Sequence, residues 1–207
     1  MTTRWAQSAL ALKWCPPDQV GIELGASTHN RLAPHARNVA PADDFEFYAS
    51  EGRRLFDNEP TPIDVAGEAN ALPFPDSSLD FVASSHVLEH CPNLLGALIE
   101  IHRVLKPGGI NYIVYPHRDA LADDGPLPLT PLGHLVDDYV ARQTADTHPT
   151  DGVPLGRRGH YHRLTLNDFL AAVHWLNGPR PFYEVAATAE RDDVVGNGWV
   201  TVLRKCA

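Results

Sequence analysis

The run Glu23-Leu24-Gly25-Ala26-Ser27 places an acid just ahead of three small residues, a spacing that suits a bound ligand. Gly25 lets the backbone come close to such a group, and Ala26 and Ser27 are too small to block it. Glu23 interrupts an otherwise apolar stretch, where a carboxylate is costly unless it accepts hydrogen bonds or faces a cation. A structural glutamate in a tight turn would account for the same residues. Histidine supplies a second chemistry, because its ordinary pKa lies near neutrality and suits proton transfer. Of the 11 histidines, His86, His117, His134, His160 and His162 crowd the segments that follow strands or form a polar insertion. His117 and His134 are the preferred general bases, although any one histidine can equally be a surface or packing residue. The run His86-Val87-Leu88-Glu89-His90 also spells HxxEH, a zinc-hydrolase motif in which two histidines share a helix face. Against that reading, His86 falls at a strand-to-helix junction and Pro92 comes two residues after His90.

The elements that must position these groups alternate. Val20 to Leu24 reads as a short buried strand running into the glycine turn, and Arg37 to Ala40 as a second strand. Ile63 to Ala66 is a third, and Leu79 to Ser84 a fourth, introduced by the turn residues Pro75-Asp76-Ser77-Ser78. Leu94, Leu95, Leu98, Ile101 and Leu105 recur at helical spacing, and Lys106-Pro107-Gly108-Gly109 stops that helix. Ile110 to Tyr115 follows as a fifth strand. Strand, helix, strand means a βαβ unit, so the expected fold is α/β with a doubly wound, mostly parallel sheet. Residues 117–163, rich in Pro, Gly, Asp and His, read as a lid-like insertion with one helix near 131–143. Thr165 to Leu176 is a helix opened by a capping-box variant, Thr165 with Asp168. Phe182 to Ala189 and Trp199 to Arg204 form an antiparallel hairpin turned at Gly196-Asn197-Gly198.

Composition narrows the partners. A chain of 207 residues with 43% hydrophobic residues supports one core, so residues 1–207 are expected to form a single domain. A formal net charge of −9 with no Lys/Arg run argues against nucleic acid. No stretch reaches the roughly 20 apolar residues of a membrane span. Three scattered cysteines, Cys15, Cys91 and Cys206, argue against a disulfide scaffold and for a reducing cytoplasm. The expected partner is a small-molecule substrate, with neither nucleic acid nor membrane, and a homodimer is left open. GxGxxG, GxxxxGK[ST] and GxSxG are all absent, which removes the commonest competitors for this architecture.

Taken in order, Ile22 to Ser27, then Gly67-Glu68-Ala69 with Leu72-Pro73-Phe74, then Asp80-Phe81-Val82 with Ser85 to His90, then Arg103 to Gly109, resemble the class I methyltransferases that use S-adenosylmethionine (SAM), closest to the type 11 subgroup. The resemblance covers roughly residues 20 to 116. It implies a Rossmann-like seven-stranded sheet and SAM as cofactor. Glu23 would then hold the methionine ammonium, with the backbone of Gly25, Ala26 and Ser27 beside the methionine. An acid after the second strand would grip the ribose; Asp43 is the nearest, beyond Ala40-Pro41-Ala42. Glu68 and Ala69 would meet the adenine edge, and Ser85 and His86 would line the methionine side.

Within that resemblance a polar, histidine-rich insertion suggests O-methylation of a small polar acceptor such as a sugar hydroxyl. Another natural-product or carboxylate acceptor, and a non-catalytic SAM-binding module, are the alternatives; the HxxEH zinc hydrolase is more remote. Mg²⁺ is one candidate metal, with Asp119 or the pair Asp137-Asp138 as oxygen ligands, though acidic pairs are commonly solvated.

Overall fold

A computed structural model of the chain describes residues 8–26, 32–42, 46, 61–120, 127–149 and 159–207. Seven strands form one sheet in the order β3-β2-β1-β4-β5-β7-β6. They are β1 Gly21–Leu24, β2 Arg37–Ala40, β3 Val65–Ala66, β4 Leu79–Ser85, β5 Leu105–Pro116, β6 Tyr183–Ala189 and β7 Gly198–Lys205. The first five run parallel, and β7 lies antiparallel between β5 and β6. The expected α/β sheet with an antiparallel C-terminal hairpin is what forms.

Alternation along the strands builds a core on each face. Ile22, Leu24, Val82, Ile113, Tyr115 and Trp199 pack on one side with α2 (Leu94–Val104), α3 (Leu132–Ala141) and α4 (Leu166–Asn177). Phe81, Ala83, Tyr112, Val114, Val200 and Val202 face the other side, with α1 (Ala9–Trp14). Asn93 caps α2 by accepting from the Gly96 N–H at 2.8 Å. Thr165 and Asp168 complete both halves of the capping box on α4, as the sequence leads one to expect.

Two boundaries differ from expectation. The Lys106-Pro107-Gly108-Gly109 stretch ends the helix but belongs to β5, as an irregularity: Leu79 pairs with Leu105, and the next pair is Phe81 with Ile110. Gly108, at φ +78, absorbs the extra residues. The connection into β7 is longer than a two-residue turn, because Asp192 accepts from the N–H groups of Val194, Val195 and Gly198. Helix α1 is tied to that connection by its cap, Ser8, which donates to Asp193 at 2.6 Å. Among the described residues, no helix is long and apolar enough to cross a membrane, and the three cysteines are free.

Candidate active site at the carboxyl edge of the sheet

Ligands of an open α/β sheet bind beyond the carboxyl ends of the strands, where the strand order reverses. Here that point lies between β1 and β4. Leu24 pairs with Val39 and Ser84, Ala40 with Ala66, and Ser85 with Val114. Residues 67–68, 25–26, 85–86 and 116–117 are therefore brought to one edge. From β3 to β4 is three strand spacings, about 14 Å.

Gly25 holds φ +64, and a Cβ there would lie 2.7 Å from Val87 Cγ2, so only glycine fits. Asn38, buried in β2, fastens the bend: its Oδ1 accepts from the Ala26 N–H at 3.1 Å, and its Nδ2 donates to Ala26 O at 3.2 Å and to Pro62 O at 2.9 Å. Sequence reasoning missed Asn38. The signal was an amide inside an apolar strand, which must find partners.

Glu23 points to the α1 face rather than along the edge. Its two oxygens accept from the N–H groups of Leu32 at 2.9 Å and Ala33 at 3.0 Å. The carboxylate thus fastens the chain after the bend, and any grip on a methionine ammonium is left to its remaining lone pairs. Ser27 and Asp43 lie outside the described residues.

Beyond β4 the chain turns through His86 at φ +53 into a single 3-10 turn, Leu88–His90. His86 and His90 therefore do not share an α-helical face, which removes the geometry that the HxxEH reading needs. Glu89 is fully buried instead, and three imidazoles surround its Oε1: His86 Nδ1 at 3.8 Å, His90 Nε2 at 3.8 Å and His160 Nε2 at 4.0 Å. His90 donates from Nδ1 to Gly159 O at 3.1 Å, which leaves its Nε2 facing the carboxylate. Burial, with the carboxylates of Glu89 and Glu68 nearby, pushes the Cys91 thiol up to about 12, so it stays protonated and unreactive.

The two expected bases are not brought together. His117 follows β5, and its Nε2 is buried with no hydrogen-bond partner among the described residues. His134 lies in α3 with Nε2 at 3.2 Å from Asp138 Oδ2 and 3.2 Å from His148 Nε2. His162 reaches the same Oδ2 at 2.9 Å, and burial holds its ring below its ordinary pKa even though Asp138 opposes that shift. Tyr161, between His160 and His162, donates its N–H to Glu89 O at 2.9 Å.

The expected oxygen ligands for Mg²⁺ do not converge. Asp119 is exposed beside Arg118 at 3.5 Å, and the Asp137-Asp138 pair splits, Asp137 outward and Asp138 inward among imidazoles. His148 was missed by sequence reasoning, since only the folded turn at Thr144–His148 brings it to Asp138.

Comparison with known proteins agrees with this fold. A family model described as a methyltransferase domain matches residues 22–113. That match is consistent with the class I, type 11-like SAM-dependent methyltransferases. The chain is 33% identical over 114 residues to a ubiquinone/menaquinone biosynthesis C-methyltransferase of Hydrogenovibrio crunogenus, covering 51% of this chain and 45% of that one. It is 30% identical over 116 residues to an uncharacterized 37.1 kDa transposon protein of Streptomyces fradiae, covering 53% and 34%. The chain thus spans less than half the length of these two curated relatives. A SAM-dependent methyltransferase structure from Methanosarcina mazei shares the fold, with a TM-score of 0.56 at 15% identity over 96% of this chain and 97% of that one.

The family implies SAM as cofactor, and the methyltransferase residues fit it. At Gly25 a Cβ would run into Val87, so the glycine keeps the backbone of the bend bare at the edge. An acid, Glu68, stands at one end of the edge, and polar Ser85 and His86 stand at the other.

Proposed function

We propose that the chain transfers a methyl group from SAM to an oxygen of a small polar acceptor, such as a sugar hydroxyl, with an imidazole taking the acceptor's proton. One observation carries the reading: three histidines gather round a buried carboxylate, Glu89, directly beside the glycine bend at the switch point. SAM supplies an electrophilic methyl on a sulfonium. The chain's own residues supply positioning and a base. The bend of Gly25 and Ala26 seats the methionine part, Glu68 and Ala69 meet the adenine edge, and Ser85 ends the strand that faces the transfer. His86 is the general base, because it follows β4 directly and is the most open of the three, 31% exposed at its side chain. Glu89 orients that ring and stabilises the imidazolium once the proton arrives, as a buried acid does for a catalytic histidine. In this reading His117 and His134 are not the base.

The test has two stages. Isothermal titration with S-adenosylhomocysteine should show one site, and Gly25→Ala should abolish it. Methyl transfer from labelled SAM is then measured with sugars, hydroxylated carboxylates and a phenolic quinone precursor. Transfer to an oxygen of a polar acceptor, with His86→Ala lowering kcat about 10²- to 10⁴-fold, supports the proposal. Methylation at carbon of the quinone precursor alone replaces the acceptor assignment, and binding without transfer to any acceptor favours a SAM-binding module.

A further inference from the structure

His134, Asp138, His148 and His162 bring four ligand atoms together from three segments of the region laid over the sheet. His134 and Asp138 sit four residues apart on one face of α3. Gln143 donates its N–H to Asp138 O at 3.0 Å as the chain leaves that helix through Arg142 at φ +51. The turn Thr144–His148 then brings His148 back, with its N–H on Thr144 O at 2.9 Å. His162 arrives from the extended segment before α4, fixed by Tyr115, whose Oη donates to His162 O at 2.9 Å. The side chains of His148, His162 and Asp138 are 0–3% exposed.

Protons alone do not satisfy this arrangement. Three Nε2 atoms lie 3.2, 3.3 and 2.9 Å from the single oxygen Asp138 Oδ2, and the Nε2 atoms of His134 and His148 lie 3.2 Å apart. With hydrogens on every Nε2, the N–H groups of His134 and His148 would confront each other. Removing one hydrogen leaves a ring lone pair against the carboxylate. A cation at the centre turns all four lone pairs into ligands. Tetrahedral zinc, with bonds of about 2.0–2.1 Å, holds its donors about 3.3 Å apart, close to the separations seen here. Three imidazoles and one carboxylate suit zinc, whereas Mg²⁺ requires octahedral oxygen.

We propose that His134, Asp138, His148 and His162 bind one structural zinc ion. Four protein ligands fill the tetrahedron, so the metal fastens the fold and leaves no open position for chemistry. It clamps α3, the turn after it and the strap at 160–162 to one another. His160 and His162 lie two residues apart on that strap, so the clamp also sets where His160 stands against Glu89. This inference does not depend on which acceptor is methylated.

Metal analysis of the purified full chain should find one zinc per chain, and Asp138→Asn and His162→Gln should each weaken zinc binding by more than about tenfold. Glu89→Gln should keep its zinc, which separates this site from the Glu89, His90 and His160 cluster. Chelator-stripped protein should gain several degrees in Tm on adding zinc, and should take up Co²⁺ with the visible absorption of a tetrahedral centre; this reading needs no variant to fold. Stripped protein that binds neither ion stoichiometrically, or zinc lost with Glu89→Gln but retained with Asp138→Asn, overturns the proposal.

Discussion

Gly25 is fixed by two independent constraints, a left-handed φ of +64 and the proximity of Val87. An alanine there costs about 1–2 kcal/mol for the backbone alone, and the 2.7 Å approach adds to it. Gly25→Ala should therefore lower Tm by several degrees, read by circular dichroism, as well as abolishing nucleoside binding. Its small-residue run is plain in the sequence. The partners of Glu23 are not, because they are backbone N–H groups nine and ten residues later. His102 illustrates a different single-residue effect. Burial, with the Lys205 ammonium nearby, lowers its pKa from 6.5 to about 4, and the ring stacks on Phe182 at 3.6 Å between centroids. Folding therefore favours the neutral ring. Between about pH 6.5 and pH 4 the unfolded chain binds more protons, so this contribution to stability is full above 6.5, falls on acidification through that window and levels off below 4. Solvent screens the partly buried ring, so the effect is about 1 kcal/mol. Urea unfolding of His102→Gln at pH 7 and pH 4.5 should show a smaller drop than the parent chain.

Arg103 joins α2 to the loop that precedes β4. Its guanidinium donates to Glu100, to Asp76 at 2.6 Å, and to the carbonyls of Phe74 at 2.9 Å and Leu72 at 3.0 Å. Glu100 in turn accepts from the Leu72 N–H at 2.8 Å. Removing the fork with Arg103→Met should cost about 1.5–3 kcal/mol, and Lys should not restore it, because an ammonium cannot span these acceptors at once. Chemical denaturation measures both. The Leu72-Pro73-Phe74 segment and Arg103 stand out as separate motifs in the chain; the fold makes them one joint, beside the edge that carries Glu68. Helix α2 was readable from its apolar spacing, and α4 from its cap. The start of β5 was not, since Pro107 and two glycines look like a connection, and only pairing with β4 draws them into the strand.

Across the molecule, the mostly parallel sheet with its antiparallel hairpin and the place of the bend follow from the βαβ reading and the ordered motifs. The histidines do not, because fold geometry rather than spacing sorts them. His160 turns to Glu89, while His162, two residues on, turns to Asp138. His134, read as a base from its setting in a polar insertion, is engaged with Asp138 and His148 from another part of that insertion. Long-range closure of this kind leaves no periodic trace in a sequence.

Lys205, near the end of β7, places its ammonium on the carbonyls of His102 at 2.8 Å and Leu105 at 2.7 Å, where α2 gives way to β5. Peeling the antiparallel hairpin from the sheet therefore also uncaps the crossover helix in the middle of the parallel half. Amides of β7 and of the last turn of α2 should exchange with deuterium as one cooperative unit, although a hundred residues of chain separate them.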